Sequence, residues 1–437
     1  HALRGGTSED LLIGIVGGGI SGLVLAYELV VLEADVILWE AKSQPGGVLW
    51  SERKEDLVLE LGPQRARLSP GFRNLVSDLG LTDELVTADT DLPLFVYCRG
   101  QLRQAPLSLR QAFATDLLPW SSKVRILAEP LTAGLRHDET VGLFLRRKFG
   151  RTAYSRLLGP LYGGLYGSDP DRMPARYALT QTLAHLGVQR SILFRMLRGA
   201  GEVSAAPPCS FREGLSALPR ALHRGLAERV RLGSPVSAVQ KNANGWEIAV
   251  GDGSERVDEV VLACPADAAA RILEVEYPQQ ASALASLNYN PLALVHMRSE
   301  ASLRGLGYQV ALGEALETRG VTWNHSLFDR PGLYTAYLGG MKNPDFPSLA
   351  DDIIGAIACE EFRVVTGYSA ETLMVSRTRM PAWDTSWDAL RKFDLPPGLS
   401  ICSNYFTRPG ILGRVQDAKR LARSLAETSG LPAPIES

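Results

Sequence analysis

Near the start of the chain, Ile13-Gly14-Ile15-Val16-Gly17-Gly18-Gly19-Ile20-Ser21-Gly22 joins an apolar run to a G-x-G-x-x-G spacing and then to a helical pattern. A bound pyrophosphate needs these parts in this order. Gly17 suits a tight turn, Gly19 a close approach of backbone to phosphate, and Gly22 a helix packed hard against the sheet. A helix beginning near Ile20 aims its free N–H groups and its positive end at the anion. Residues Ala34 to Glu40 read as a second buried strand ending in a carboxylate. Glu40 is therefore placed to accept hydrogen bonds from ribose hydroxyls and to disfavour a 2′-phosphate. Gly46-Gly47 lies just beyond. This second glycine pair lets backbone pass close to a cofactor longer than NAD, so the expected ligand is FAD. Gly62-Pro63, after the strand-like Leu57 to Leu61, reads as one more turn against it.

The elements that hold these residues must come from a large protein. At 437 residues the chain exceeds what one core holds, so two or three packed domains are expected. Its 45% hydrophobic and 22% charged content is that of a soluble globular protein, and a net charge of -2 argues against binding nucleic acid. Five cysteines and six histidines are scattered without C-x-x-C, H-x-x-x-H or H-E-x-x-H spacing, which points away from a disulfide framework and from metal catalysis. No apolar run is long enough to span a bilayer and no signal-peptide pattern is seen, so a cytoplasmic protein is expected. Residues 1–10 read as a disordered or appended tail.

Further along, Leu94 to Gly100 reads as a strand and turn, and residues from about Pro106 to Leu197 carry apolar side chains at helical spacing, for example Val141, Phe144, Leu145 and Phe149. The basic cluster Arg146-Arg147-Lys148 reads as a solvated helix face. Three strands are expected within 231–263, at Arg231 to Val239, Gly245 to Val250 and Asp258 to Ala263, with turns at 242–245 and 251–253. Strands at Leu292 to Met297, Val321 to Trp323 and Tyr334 to Leu338, with a helix near 350–366, form a second α+β unit. A strand at Leu399 to Cys402 and a helix from Val415 to Thr428 return to the nucleotide sheet. The nucleotide domain is thus assembled from separated pieces.

The order of more particular segments carries a resemblance. Glu60-Leu61-Gly62-Pro63, Asp138 to Phe144 leading to Arg147-Lys148-Phe149-Gly150, Gly164 to Pro170, Phe211-Arg212-Glu213-Gly214-Leu215 and Trp323 to Phe328 follow one another along the chain. In this the chain resembles the flavin monoamine oxidase superfamily and, within it, the protoporphyrinogen oxidase family of haem synthesis. The likeness covers nearly the whole chain. It implies an α/β fold: a Rossmann-type, amine-oxidase-like FAD-binding domain, an α+β substrate domain and a helical, membrane-facing insertion. The corresponding segments are 11–88, 206–272 and 396–437 for FAD, 89–205 for the helical insertion and 273–395 for the substrate domain.

The resemblance also implies site residues. Gly17, Gly18, Gly19, Ile20, Ser21 and Gly22 match the phosphate loop, Glu40 and Ala41 the ribose end, and Gly46, Gly47 and Val48 the second turn. Gly62, Pro63, Gln64 and Arg65 match a segment near the flavin, and Val236 a residue whose backbone meets adenine. Asn404, Ile411, Leu412 and Gly413 lie where the family's last motif approaches the flavin ring. The implied reaction is dehydrogenation of a porphyrinogen with oxygen as acceptor, peripheral contact with the inner face of the cell membrane is implied, and a homodimer is left open. The chain departs from the pattern twice. Leu94 stands where many members carry a basic residue for a substrate propionate, leaving Arg67, Arg99 or Arg103 to substitute, and the Asp-Cys pair of the last motif is missing. A divergent amine oxidase or desaturase, and a non-catalytic porphyrin- or FAD-binding protein, remain alternatives. His325 reads as a packing residue, Tyr162 and Tyr166 likewise, and Trp383 and Trp387 either as packing or as a flavin wall.

Overall fold

The computed structural model describes residues 11–428 except 107, 137, 186, 189, 200–205, 408 and 409, so the tail expected at residues 1–10 lies outside the described residues. Strand β1 (Leu12–Val16) is buried on both faces and pairs in parallel with β2 (Asp35–Trp39) on one side and with Glu259–Leu262 on the other. Val230–Arg231 extends the sheet beyond β2, and Leu399–Ile401 closes the far edge. All neighbours in this five-stranded sheet are parallel, which is why its central strands read as unbroken apolar runs. Helix α1 (Ile20–Val31) fills one face together with the helices Ala217–Leu226 and Ile411–Thr428. The other face is covered by an antiparallel meander through Trp246, Ile248 and Val257. That meander holds a strand, Gly253–Val257, between the turn expected at 251–253 and the strand expected from Asp258, where the sequence shows none. Gly-Ser-Glu-Arg-Val has a single apolar side chain, and pairing with Gly245–Val250 supplies what its composition lacks.

The second unit is a seven-stranded sheet in the order Glu371–Pro381, Tyr289–Arg298, Leu333–Gly339, Thr318–Thr322, Gly307–Val310, Leu94–Cys98, Gln101–Gln104. Successive side chains on a strand face opposite ways. Ala293, Val295, Met297, Tyr334, Ala336 and Leu338 pack on Ile354, Ala358 and Phe362 of the helix Asp351–Thr366. His296, Thr335, Tyr337 and Thr322 alternate with them and occupy the opposite face. Residues 94–104, placed by sequence within the helical insertion, belong to this sheet, because Leu94–Cys98 pairs in parallel with Gly307–Val310.

Short helices occupy much of 109–199. Their brevity follows from Pro119, Pro130, Pro170 and Pro174 at helix starts and from glycine exits at Gly150 and Gly167, both at positive φ. One buried ion pair ties the substrate sheet to the nucleotide unit. Glu60 accepts hydrogen bonds from the Ser51 hydroxyl at 2.6 Å, the Leu215 amide at 3.0 Å, the Ser210 hydroxyl at 3.1 Å and Arg330 at 3.1 Å.

Candidate cofactor and substrate site

The glycine loop has the geometry its spacing suggests. Gly17 lies at φ 116°, and a Cβ there would meet the Ala263 carbonyl carbon at 2.9 Å. A Cβ on Gly22 would stand 2.0 Å from the Gly17 carbonyl oxygen, so α1 can sit this close to the loop only with glycine. At Gly19 a Cβ would touch nothing within 4 Å, leaving the loop open on that side. Gly19 begins α1 without a side-chain cap, and no acidic residue stands in the first turn. The N–H groups at Ile20 and Ser21 are thereby left for an external anion. The Gly46 amide donates to the Gly18 carbonyl at 2.8 Å, which lays the second glycine turn on the first.

Glu40 is 8% exposed and braces the same loop, accepting from the Gly18 amide at 2.6 Å and the Lys42 amide at 2.8 Å. Each carboxylate oxygen has a further lone pair, enough for ribose hydroxyls. Beside it Ala41 is exposed. Ser234 donates its amide to the Glu40 carbonyl at 2.9 Å, and this draws the half-buried Val236 to the ribose end. A Cβ on Gly62 would lie 2.0 Å from the Val48 carbonyl, so the Gly62-Pro63 turn stacks on the 46–48 turn.

From these turns a cleft of ≈ 990 Å³ runs toward the substrate sheet, lined by Val48, Trp50, Leu61, Pro265, Pro291 and Leu292, by the charged Lys42, Arg377 and Arg379, and by Tyr289 and Asn404. Tyr289 donates to the Asn404 side-chain oxygen at 3.3 Å and accepts from the Ala266 amide at 3.2 Å; burial pushes its pKa up to about 12. Within electrostatic reach of Tyr289 is Arg414, in the first turn and a half of Ile411–Thr428, with Ile411 and Gly413 buried and Leu412 half-buried beside it. Burial lowers the Arg414 pKa, and its Nε is shielded from solvent with no hydrogen-bond partner among the described residues. A buried guanidinium N–H without an acceptor is costly. The orphaned Nε and the glycine cradle both fit an anionic cofactor lying across the carboxyl edge of the sheet. Sequence reading passed over Arg414; its only signal was the absent Asp-Cys pair. Arg414→Met is expected to weaken FAD binding by about 10- to 100-fold, the effect of losing a charge-assisted hydrogen bond, read by titrating the stripped protein and following flavin fluorescence.

The sequence model of the flavin containing amine oxidoreductases matches residues 20–397. A chloroplastic protoporphyrinogen oxidase of Spinacia oleracea is 30% identical over 412 residues, covering 84% of this chain and 73% of the relative. The chain belongs to the protoporphyrinogen oxidase family. Protoporphyrinogen oxidase of Homo sapiens is also 30% identical, over 75% of this chain and 76% of its own. In fold, the chain is similar to an Exiguobacterium protein provisionally named a protoporphyrinogen oxidase (TM-score 0.77, 22% identity, 97% and 100% covered). It is also similar to cyclohexylamine oxidase from Brevibacterium oxydans (TM-score 0.72, 17% identity, 96% and 99% covered). This member of the protoporphyrinogen oxidase family is accordingly an FAD-dependent oxidoreductase.

In this family member the sheet face turned away from Asp351–Thr366 carries a polar line that joins five segments of the chain. Asn324 donates to the Gln64 side-chain oxygen and to the Thr335 hydroxyl, each at 3.0 Å. His296, fully buried, meets the Thr335 hydroxyl at 3.2 Å and the Ser376 hydroxyl at 3.3 Å. Burial pushes the His296 pKa down to about 4. The folded state thus holds it neutral, whereas an unfolded chain protonates it near 6.5. Its contribution is complete above 6.5 and is lost as the pH falls through 4. Between these limits the wild type should lose roughly 3 kcal/mol that His296→Gln does not lose, a difference readable as Tm against pH.

The other residues singled out by sequence are placed as follows. Leu94 packs beside Val96, Leu157 and Leu161 in an apolar cluster. Arg67 donates to the Ala206 carbonyl at 3.2 Å. Arg103 pairs with Asp116 at 3.1 Å and also binds the Cys98 carbonyl and Gln101, while Arg99 sits in an exposed turn at φ 54°. His325 accepts from the Gly332 amide at 2.9 Å and stacks on Tyr334, a packing role. Trp383 and Trp387 stack on one another at 5.2 Å, and Trp387 donates to the Tyr405 carbonyl at 3.1 Å within the core. Tyr162 and Tyr166 lie 5.3 Å apart and both donate to the Ala178 carbonyl, inside the helical segment.

Proposed function

We propose that this protein dehydrogenates a porphyrinogen to a porphyrin, with oxygen as the final acceptor. The observation that carries the reading is the continuity of the second glycine turn, through Gly47 and Val48, with a mainly apolar cleft of ≈ 990 Å³ that reaches the substrate sheet and carries Arg377 and Arg379 there. Residues Gly17 to Gly22, Glu40, Ala41, Gly46 to Val48, Gly62 to Arg65, Val236, Asn404 and Ile411 to Gly413 line the proposed FAD path, 11–88, 206–272 and 396–437 being its domain. FAD, when bound, supplies the hydride acceptor. The chain's own work is then placement and exclusion of water. Leu61, Leu292 and the prolines present a dry wall to the macrocycle. A methylene bridge between electron-rich pyrroles yields a hydride without a strong protein base, because the developing cation is delocalised within the substrate. The neutral His296 and its hydroxyl partners agree with that undemanding role.

Protein loaded with FAD and mixed anaerobically with protoporphyrinogen IX or coproporphyrinogen III should show bleaching of the flavin with one of them, then porphyrin fluorescence once oxygen is admitted. A flavin that ignores both overturns the reading and moves oxidation of an amine, desaturation of a polyene, or a carrier role ahead.

The same reading puts the helical segment that follows Gln101–Gln104, within 109–199, against a lipid surface on the cytoplasmic side of the membrane. Trp120, Val124 and Leu127 share one face of Trp120–Leu127 and are 73%, 63% and 57% exposed; Leu131, one turn on, is 83% exposed. Lys123 lies over the Trp120 ring at 4.8 Å but is buried and donates to the Phe113 carbonyl at 2.7 Å, so the face offered to lipid is apolar. Among the described residues no helix is long and apolar enough to cross a membrane. Five unpaired thiols suit a reducing compartment. Trp120→Ser with Leu131→Ser should reduce sedimentation with anionic phosphatidylglycerol vesicles by at least about tenfold, from the apolar area withdrawn; unchanged binding removes this face from the proposal.

A further inference from the structure

The cleft is lined by three cations, Lys42, Arg377 and Arg379, and among the described residues that line it there is no carboxylate, although the chain as a whole carries a net charge of -2. A concave surface of one sign focuses its field and gathers the opposite charge. Lys42 follows Glu40 and Ala41 and so belongs to the ribose end. Arg377 and Arg379 belong to the substrate sheet, on its edge strand Glu371–Pro381. Thr378 between them lines the cleft as well, so the open edge of that strand forms its rim. Leu94, Arg67, Arg99 and Arg103 are not part of this lining.

The two arginines are held differently. Arg377 is fixed, its guanidinium donating to the Pro347 carbonyl at 2.6 Å and the Leu349 carbonyl at 2.9 Å and pairing with Asp351 at 2.6 Å. Arg379 uses a single terminal nitrogen, toward Asp267 at 3.2 Å, and both of those side chains are exposed. An exposed pair of this kind contributes little and gives way to a competing carboxylate. Asp267 is not stranded by the exchange, because Arg271 stands 3.6 Å from it on the same helix. The Arg379 guanidinium also lies over the Tyr289 ring at 5.5 Å, and Tyr289 is itself tied to Asn404 and to the Ala266 amide. That contact holds the unused donors of Arg379 at the cleft.

Residues i and i+2 of a strand point the same way about 7 Å apart. Two carboxylates carried side by side on one edge of a macrocycle suit that spacing, and the planar fork of arginine takes a carboxylate in two parallel hydrogen bonds. The pyrophosphate of a dinucleotide has its own cradle at Gly17 to Gly22, on the other sheet.

We propose that Arg379, with Arg377 beside it, anchors the paired carboxylates of the substrate at the rim of the cleft. The proposal rests on the porphyrinogen reading and sets the orientation of the macrocycle, with its acidic edge on Glu371–Pro381 and its apolar body toward Trp50, Leu61 and Leu292. Preference for the free acid over its ester follows.

Protoporphyrin IX and its dimethyl ester separate the possibilities, titrated into FAD-loaded wild type, Arg379→Gln and Asp267→Asn. At low salt the wild type should bind the diacid about tenfold more tightly than the diester, as for a charge-assisted hydrogen bond, and the preference should shrink as ionic strength rises. Arg379→Gln should lose most of that preference, keep its affinity for the diester, its flavin content and its Tm, and show a raised KM for the porphyrinogen with kcat little changed. Asp267→Asn, which frees Arg379 from its competitor, should bind the diacid more tightly than the wild type does. A wild type that binds diacid and diester alike leaves the porphyrinogen reading standing and overturns the anchor. So does an Arg379→Gln variant that keeps the full preference. Flavin loss in Arg379→Gln overturns the anchor too, by giving the residue to the cofactor. A wild type that binds neither porphyrin overturns the porphyrinogen reading and the anchor with it.

Discussion

Gly22→Ala should yield a folded protein that does not retain FAD. The added Cβ would stand 2.0 Å from the Gly17 carbonyl oxygen and 3.1 Å from the Ala263 methyl. The first contact is backbone, and it cannot rotate away as a side chain would. Either α1 backs off, against a core in which Leu23, Val24, Leu25, Ala26 and Leu29 are buried, or the 17–19 turn is displaced. Displacing the turn is the smaller disturbance, and it moves the N–H groups that meet the pyrophosphate. Gly19→Ala is the informative companion, because its Cβ touches nothing within 4 Å. Without cofactor that variant should melt like the wild type, and its defect should appear only when FAD is titrated in. Flavin absorbance per mole of protein, with far-UV circular dichroism as the check on folding, reads both. Stoichiometric flavin in Gly22→Ala would remove the steric argument for the loop.

The contrast between these two glycines shows what a sequence can disclose. A close approach or a left-handed turn is written into the residue type itself, so the phosphate loop, Glu40 and the Gly46-Gly47 turn were legible from the chain alone. Strands buried on both faces, such as β1 and β2, were legible for a similar reason, since their apolar runs need no partner to be seen. Glu371–Pro381 was not legible. It is an edge strand with an irregular burial pattern, and Tyr289–Arg298 defines it by pairing from some 80 residues away. Leu94–Cys98 likewise takes its identity from Gly307–Val310, far along the chain. The helix at the C-terminal edge begins at Ile411 and not at Val415, because Gly410 and Gly413 interrupt the apolar period that marks a start. The site divides in the same way. That the Arg414 Nε has no partner among the described residues is a property of what surrounds it, and no spacing in the sequence expresses it. The line from His296 to Gln64 joins residues more than 200 positions apart and could not be read before the sheet was assembled.

Lys148→Met should lower stability by about 3 to 5 kcal/mol, the range for stripping one partner from a buried ion pair. The sequence reading took Arg146-Arg147-Lys148 for a solvated face, and for Lys148 the structure corrects it. Lys148 and Glu129 are both 0% exposed and meet at 2.8 Å. Lys148 also donates to the Arg190 carbonyl, and Glu129 accepts from the Ile192 amide at 3.1 Å and the Leu193 amide at 3.3 Å, at the start of Ile192–Gly199. Three pieces of the helical segment therefore meet on one carboxylate. Burial raises the Glu129 pKa, but hydrogen bonds from Lys148, Ser191 and Ile192 outweigh it and leave the group below its ordinary value. A depressed carboxylate gives stability that is present above its unfolded pKa and is lost as the pH falls through the folded one. In Lys148→Met the remaining charge has no counterion and is relieved by protonation, so the gap in Tm between wild type and variant should narrow on acidification. Adding Glu129→Gln to Lys148→Met removes the stranded charge and should restore most of the loss at neutral pH. A gap that stays constant with pH, or a double variant no better than the single one, would assign the loss to packing of the lysine stem and not to the charge it leaves behind.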